Sequence, residues 1–144
     1  MGGEWIEVTD RRLEAGRLRA SLTDPRAGAV VVFEGCARDH HLGRPVGVLA
    51  YEAFVPMALK ELERIREDAM GRFGLLRCAI AHRTGEVPLT EAAVVVGTAS
   101  AHRREAFEAA AWIMDRIKDT VPIWKKEVYR DGGSAWVEGE LRQD

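Results

Sequence analysis

Two apolar segments constrain the fold of this chain most strongly. Residues 29–33 and 92–99 consist almost entirely of Val, Ala and other small or apolar side chains, which is typical of buried strands. Between them, apolar residues recur every three or four positions from Val55 to Phe73. That spacing predicts an amphipathic helix, with Pro56 in its first turn and Gly74 at its end. The fold must therefore bury at least two strands together with one long helix.

Shorter patterns predict strands that follow one another without a helix between them. The further predicted strands are residues 5–8, 46–53, 75–82, 123–129 and 134–137, with a polar loop at 34–45 and turns at 84–88 and 131–133. Two more helices are predicted, one from residues 9–10 to Asp24 and one from Ser100 to Lys118, before Pro122. Direct strand-to-strand connections favour an α+β fold over a regular parallel βαβ array. We predict one domain over residues 1–144, with mixed strands and two to three helices.

Composition excludes several classes of protein. The 144 residues fit one domain, and the formal net charge of -2 argues against binding nucleic acid through bulk charge. No apolar run is long enough to span a bilayer, and the first residues lack a basic stretch followed by an apolar core, so we expect a cytoplasmic protein. Two cysteines make no disulfide framework, and the histidines and cysteines match no common zinc spacing, so no metal site is expected.

Lysine is rare in this chain, and three of its four lysines lie close together. The sequence has 17 arginines, yet Lys118, Lys125 and Lys126 flank the segment 122–124. Because the pKa of an amine can be lowered by its surroundings while a guanidinium stays charged, lysine suits proton transfer and nucleophilic chemistry. The alternative is structural. Lys118 would then stabilise a helix C-terminus, and one of the two adjacent lysines would face solvent.

Two arginine-bearing segments are candidate anion sites. The segment 100–104 opens a predicted helix, where free backbone N–H groups attract anions and where His102 and Arg103 add donors. Arg38 follows a buried strand in a glycine-bearing loop, as a phosphate-binding arginine would. Each segment also has a structural alternative, a serine helix cap for the first and a surface ion pair with Asp39 for the second.

Several of these segments recur in the order and spacing of a known family. They are Gly28–Gly35 with Arg38–His40, Leu49–Phe54, His82–Glu86, Ser100–Arg103 and Lys118–Glu127. The combination of Ser-Ala-His-Arg with Lys-x-x-x-Pro-x-Trp-Lys-Lys-Glu is specific, whereas any single piece is not. On these motifs the chain resembles the large, catalytic subunit of molybdopterin synthase, from about residue 4 to residue 138.

The resemblance implies an activity, partners and a fold. Enzymes of this family convert cyclic pyranopterin monophosphate into molybdopterin by installing two sulfurs as a dithiolene. The sulfur comes from a thiocarboxylate on the C-terminal glycine of a small ubiquitin-like sulfur-carrier subunit, whose tail enters a pocket of the large subunit. The implied assembly is a homodimer of large subunits with one small subunit at each end, a heterotetramer. The implied fold is of the α/β-hammerhead type, and no cofactor is expected because the pterin is the substrate.

The resemblance also assigns roles to individual residues. Lys118 and Lys125 match the family's two essential lysines, and we expect both to be catalytic and to contact substrate. Lys118 would act beside the incoming glycine tail, and Lys125 would stabilise negative charge or assist proton transfer. The other positions expected to contact the substrate or line its pocket are Cys36, Ala37, Arg38, His102, Arg103, Lys126 and Glu127. Cys36 and Ala37 depart from the family, in which a larger or β-branched residue usually precedes the arginine.

Two other functions are compatible with these residues. One is a non-catalytic α+β module that binds an anionic pterin or nucleotide, or a protein partner, in which case the lysines would affect binding alone. The other is an RNA-binding α+β domain. The net charge of -2 and the lack of an aromatic stacking platform on the strands disfavour that second alternative.

Overall fold

Strands and helices mix along the chain as an α+β fold requires. The computed structural model describes residues 5–41, 44–129 and 133–137. The helices in these residues are α1 Ala15–Ala20, α2 Val55–Phe73 and α3 Arg103–Thr120. The strands are β1 Trp5–Thr9, β2 Ala29–Cys36, β3 His40–His41, β4 Arg44–Ala53, β5 Arg77–Arg83, β6 Gly85–Val87, β7 Ala92–Ser100, β8 Ile123–Tyr129 and β9 Ser134–Val137.

The strands form two sheets. The first has the order β1-β5-β7-β2, in which β1 runs parallel to β5 and the other pairs are antiparallel. The second has the order β3-β4-β8-β9, with β6 also paired to β4, and all of its pairs are antiparallel. Because β8 is hydrogen-bonded on both sides, the face to which each of its side chains points is fixed by two neighbours.

The first sheet is covered on both faces, and β7 is its most buried strand. Val94 and Val96 pack in the cluster formed with α2 and α3, whereas Val95 packs in the cluster formed with α1. Gly97 allows α1 to approach closely, because a Cβ atom there would lie 2.4 Å from the Cδ2 atom of Leu18. Burial on both faces explains why the sequence of β7 is apolar throughout and does not alternate.

The two long helices bury most of the predicted apolar positions. α3 buries the whole predicted stripe, which is Ala106, Ala110, Ile113 and Ile117. α2 buries Leu62, Ile65 and Ala69, but Val55 and Leu59 of the predicted stripe are 39% and 36% exposed. Gly74 ends α2 in the left-handed conformation, with φ of 62°. Within the described residues, no helix has the length and hydrophobicity needed to cross a membrane.

The first helix is shorter than predicted. α1 begins at Ala15, and its N-cap is Glu14 and not a residue at 9–10. Leu13 and Leu22 are buried although both lie outside the helix. The leucine spacing therefore reflected packing against the first sheet and not a continuous helix.

Two predicted non-strand segments contain strands. Residues 34–36 continue β2 because β7 supplies their pairing partners, with a register shift between Gly35 and Cys36. Residues 85–87, predicted as part of a turn, form β6 against β4. In both cases the pairing partner is distant in sequence, whereas β3, which also lies in the predicted loop at 34–45, pairs locally with the start of β4. The predicted turn at 131–133 lies outside the described residues except for Gly133.

Candidate active site

A cavity of about 220 Å³ lies where the two sheets meet the C-terminal end of α3. Strands β2, β4, β5, β7 and β8 and the last turns of α3 contribute its walls. The lining residues are Phe33, Gly35, Cys36, Arg38, Leu49, Tyr51, His82, Ala93, Val94, Met114, Ile117, Lys118, Lys125 and Glu127. Apolar walls with a few convergent polar groups are the usual form of a small-molecule site.

Strand β8 supplies two of the charged groups because its side chains alternate. Lys125 and Glu127 point to the cavity and are only 7% and 2% exposed. Lys126 lies between them in sequence and points to the opposite face, where its Nζ atom is 5.8 Å from the centre of the Trp136 ring. The predicted separation of the two adjacent lysines onto opposite faces is therefore present, and Lys125 is the inward one.

Helix α3 supplies the second amine at its last turn. Ile117 is buried on the inward stripe, and Lys118 follows it at the edge of the cavity. The helix ends at Thr120, and residues 121–122 lead directly into β8. A cation in the last turn is also favoured by the helix dipole. The short connection brings Lys118 and Lys125 to the same cavity from two different elements.

The end of β2 supplies the arginine. The register shift between Gly35 and Cys36 occurs where β2 passes the cavity, and both Cys36 and Arg38 line it. Ala37 is buried beside them without lining the cavity, and its N–H donates to the carbonyl of Glu91 at 3.0 Å. Alternation about the shifted position thus sends the two residues that flank Ala37 towards the cavity.

Five of the nine predicted site residues line this cavity, and four do not. The five are Cys36, Arg38, Lys118, Lys125 and Glu127, and the four are Ala37, His102, Arg103 and Lys126. Among the charged lining groups, three cations and one carboxylate give a formal charge of +2. The cavity therefore favours an anionic ligand. That each of the nine contacts substrate remains a prediction.

His102 and Arg103 lie at the opposite end of α3. His102 is the N-cap residue of the helix, makes no side-chain capping bond, and is exposed together with Arg103. Ser100 is not the cap, since it ends β7 and its hydroxyl donates to the His102 carbonyl at 2.6 Å. Arg103 and Lys118 are separated by 15 positions of one helix, which corresponds to about 22 Å. A single chain does not bring these residues to the cavity.

His82 lines the cavity although it was not among the predicted site residues. It lies near the end of β5, is 4% exposed, and packs edge-on against Tyr51 with the ring centres 5.1 Å apart. Its Nδ1 atom is 2.9 Å from the carbonyl oxygen of Arg83. Burial lowers the pKa of His82 to about 4, so the imidazole is neutral at neutral pH. The available sequence signals were its place at the end of a predicted strand and at the start of the family segment His82–Glu86.

Comparison with known proteins identifies the family. A family model described as MoaE protein matches residues 8–120. The chain belongs to the MoaE protein family. A molybdopterin synthase catalytic subunit from Pyrococcus abyssi is 47% identical over 121 residues, which cover 84% of this chain and 81% of that protein. The resemblance drawn from the sequence motifs is confirmed.

Solved structures confirm the fold of this MoaE chain. A crystal structure of molybdopterin synthase from Staphylococcus aureus matches with a TM-score of 0.85 and 36% identity, over 91% of this chain and 95% of that one. A chain from the complex of subunits 1 and 2 of molybdopterin-converting factor from Helicobacter pylori has the same fold, with a TM-score of 0.74 and 18% identity over 92% of this chain and 89% of that one. The predicted α+β class of hammerhead type is therefore correct.

Neither cysteine of this MoaE chain is activated as a nucleophile. Desolvation, with a contribution from the charge of Glu34, raises the pKa of the Cys36 thiol. Burial raises the pKa of Cys78 to about 12, and that residue lies in the core cluster with α2 and α3. Both are therefore thiols and not thiolates at neutral pH. Within residues 5–41, 44–129 and 133–137, no group of three or more His, Cys, Asp or Glu side chains is placed to hold a metal ion.

Proposed function

We propose that this chain is the catalytic subunit of a molybdopterin synthase. It acts as a sulfurtransferase that converts cyclic pyranopterin monophosphate into molybdopterin, in the cytoplasm. The observation that carries the proposal is the convergence of Lys118 and Lys125 on one cavity from two different elements. The similarity to the molybdopterin synthase catalytic subunit of Pyrococcus abyssi supports enzymatic activity in molybdopterin synthesis.

The charge of the cavity supports an anionic substrate. Arg38 and the two lysines outnumber the carboxylate of Glu127, and a guanidinium binds phosphate oxygens through paired donors. The apolar side chains of Phe33 and Met114 give the cavity surfaces against which a flat heterocycle can pack. A phosphorylated pterin combines these two requirements in one molecule.

The two amines supply the chemistry that the reaction requires from this chain. As sulfur replaces oxygen on the substrate and the cyclic phosphate opens, negative charge develops on the departing oxygen and a proton must reach it. An ammonium group held in a mostly apolar cavity stabilises such charge more strongly than it would in water. Lys118, at the edge of the cavity, acts beside the incoming sulfur donor. Lys125, which is 7% exposed, stabilises the developing charge or transfers the proton.

The sulfur comes from a second protein. Both cysteines of this chain are protonated thiols at neutral pH, and Cys78 is fully buried, so neither is suited to deliver two sulfurs. A small ubiquitin-like subunit with a C-terminal glycine thiocarboxylate fits this role, because a glycine tail has no side chains and can enter a narrow cavity. The Helicobacter pylori neighbour, itself part of a two-subunit complex, supports such an assembly.

A homodimer core accounts for His102 and Arg103. These residues lie about 22 Å from Lys118 along α3, too far for one chain to place all three on a single small substrate. In a dimer of catalytic subunits, a second copy can supply them to the cavity of the first. The proposed assembly is a heterotetramer of two catalytic and two small subunits.

One reconstitution experiment tests this function. The purified protein is mixed with thiocarboxylated small subunit and cyclic pyranopterin monophosphate, and the dithiolene product is measured by mass spectrometry. The matched control is the same small subunit with an ordinary C-terminal carboxylate, which should give no product. Binding of the pterin or the small subunit without any product would instead favour a non-catalytic binding module.

A further inference from the structure

The proposed mechanism gives no role to two polar aromatic side chains of the cavity, those of Tyr51 and His82, and the imidazole of His82 is the more buried of the two. We propose that His82 is a further substrate-binding residue, whose Nε2 atom accepts a hydrogen bond from an N–H group of the pterin. This inference depends on the proposed function for the identity of the substrate. The role of His82 itself is argued from the geometry of the cavity.

The orientation of the imidazole is fixed by backbone. Its Nδ1 atom lies 2.9 Å from the carbonyl oxygen of Arg83, and a carbonyl oxygen can only accept, so we assign the proton to Nδ1. In the neutral ring, Nε2 then has a free lone pair and is an acceptor. The side chain of Arg83 is itself held by Glu91, with Nη1 and Oε1 2.7 Å apart. The backbone of Arg83 is also held in the first sheet, where Arg83 pairs with Thr9 of β1.

The other polar groups of the cavity explain why an acceptor is needed. Arg38, Lys118 and Lys125 can only donate hydrogen bonds, so they suit phosphate and departing oxygen atoms. A pterin also carries N–H groups, and a buried N–H without a partner is costly. Glu127 and His82 supply acceptors for such groups. The cavity thereby offers donors to the anionic part of the substrate and acceptors to its heterocycle.

A neutral acceptor has an advantage over a second carboxylate. A carboxylate at position 82 would repel the substrate phosphate and would pair with the amines of Lys118 or Lys125. The imidazole accepts without adding negative charge. Burial opposes its protonation and lowers its pKa. His82 thus distinguishes a ligand with an N–H edge from one that carries only phosphate.

Two substitutions separate the two ring nitrogens. In His82→Asn the amide N–H can replace Nδ1 and bind the Arg83 carbonyl, but nothing replaces Nε2. In His82→Gln the longer amide can place an oxygen near the position of Nε2, but the bond to Arg83 is lost. Steady-state rates with thiocarboxylated small subunit and varied pterin concentration give KM and kcat for each variant. Thermal unfolding and affinity for the small subunit are measured in parallel.

The expected result is a KM for the pterin that rises about tenfold or more in His82→Asn, because a buried donor loses its partner. The same variant should retain its unfolding temperature and its affinity for the small subunit, and His82→Gln should regain most of the wild-type KM. A normal KM in His82→Asn would overturn the proposal, and with a defective His82→Gln it would show a purely structural role. An inactive wild-type protein would instead count against the proposed function.

A measurement on the wild-type protein covers the case in which both variants fail to fold. The chain has four histidines, so their ring nitrogens can be labelled with ¹⁵N and assigned by replacing the other three in turn. The pterin is then added without the small subunit. An acceptor role predicts that the Nε2 resonance of His82 shifts on binding while its Nδ1 resonance stays nearly constant. Saturation with pterin without a shift at Nε2 would overturn the proposal.

Discussion

The two faces of β8 carry similar residues in opposite environments. On the inward face Lys125 and Glu127 are 7% and 2% exposed and line the cavity. On the outward face Trp124 is 52% exposed, and Lys126 lies over the ring of Trp136. Two adjacent lysines therefore differ in their burial and in the groups that they contact. The comparison shows that alternation and sheet pairing decide which of two adjacent lysines reaches the cavity.

The difference also has an energetic meaning. A half-buried lysine that contacts an aromatic ring, as Lys126 does, contributes about 0.5–2 kcal/mol. A buried ammonium costs several kcal/mol in lost hydration unless charged or polar groups compensate for it. The lost hydration of Lys125 must therefore be offset by the groups around it, whereas Lys126 can be replaced at little cost.

The sharpest test of the comparison is to remove each lysine separately. We expect Lys125→Ala to lower the rate of molybdopterin formation by about two to four orders of magnitude, the range lost with a charge-stabilising or proton-transferring group. Lys126→Ala, the matched control on the same strand, should change the rate less than about tenfold. Rates are measured with saturating thiocarboxylated small subunit. Equal losses in the two variants would remove the distinction between the faces.

Lys118 tests whether the cavity needs an amine or only a positive charge. Lys118→Ala should lose about as much activity as Lys125→Ala. Lys118→Arg should fail as well, because a guanidinium keeps its charge but does not release a proton at working pH. Affinity for the small subunit, measured by calorimetry, should stay close to wild type in Lys118→Arg. Recovery of more than half of the wild-type rate by arginine would show that charge alone is sufficient.

The burial of His82 in the same cavity predicts how the stability of the protein depends on pH. The pKa of His82 is about 4 in the folded protein against 6.5 for an ordinary histidine. Between those values the unfolded chain binds the proton and the folded one does not, so stability falls as pH drops from 6.5 to 4. At 1.36 kcal/mol per pH unit, this contribution amounts to roughly 3 kcal/mol.

Urea unfolding at several pH values measures this contribution. Other groups titrate in the same range, so the quantity of interest is the difference between wild type and His82→Asn. The variant should lose less stability than the wild type on acidification. Parallel stability curves would mean that His82 is already protonated in the folded protein or solvated there.

The smallest effect concerns the outward face. A double-mutant cycle with Lys126→Ala and Trp136→Ala should give a coupling energy of about 0.5–2 kcal/mol, as expected for a half-buried cation over a ring. Each single variant should stay within the limit on the rate given above for Lys126→Ala. A coupling energy of several kcal/mol would show that this face is desolvated in the assembled enzyme.

Local sequence patterns were sufficient to predict an element when the pattern lies within that element alone. The bounds of β8 and β9 were predicted correctly, as was the stripe on α3, because alternation and helical spacing are visible within each segment. β6 and the end of β2 were missed because their conformation depends on partners far away in sequence. The length of α1 was wrong for a related reason, since its flanking leucines are buried by β7 without being helical.

The candidate residues of the site could be predicted from the sequence, but their orientation could not. Motif resemblance indicated Lys118 and Lys125, and alternation indicated that Lys125 and Lys126 differ, but only the pairing of β8 with β4 decides which one faces inward. His82 began one of the family segments, but the segment did not indicate a role for it. The role proposed for it depends on its hydrogen bond to the Arg83 carbonyl and its place in the cavity wall, which are properties of the folded chain.

The two lysines are attached to different layers of the fold. Lys118 is carried by α3, which packs on the first sheet, whereas Lys125 is carried by the second sheet, and two residues join them. The separation of their Nζ atoms is therefore set by how one sheet sits against the other. The cavity lies at this same junction, so its shape and the placement of both lysines depend on the packing of one sheet against the other. The contact between the two sheets is therefore part of the site, including those of its residues that touch no ligand.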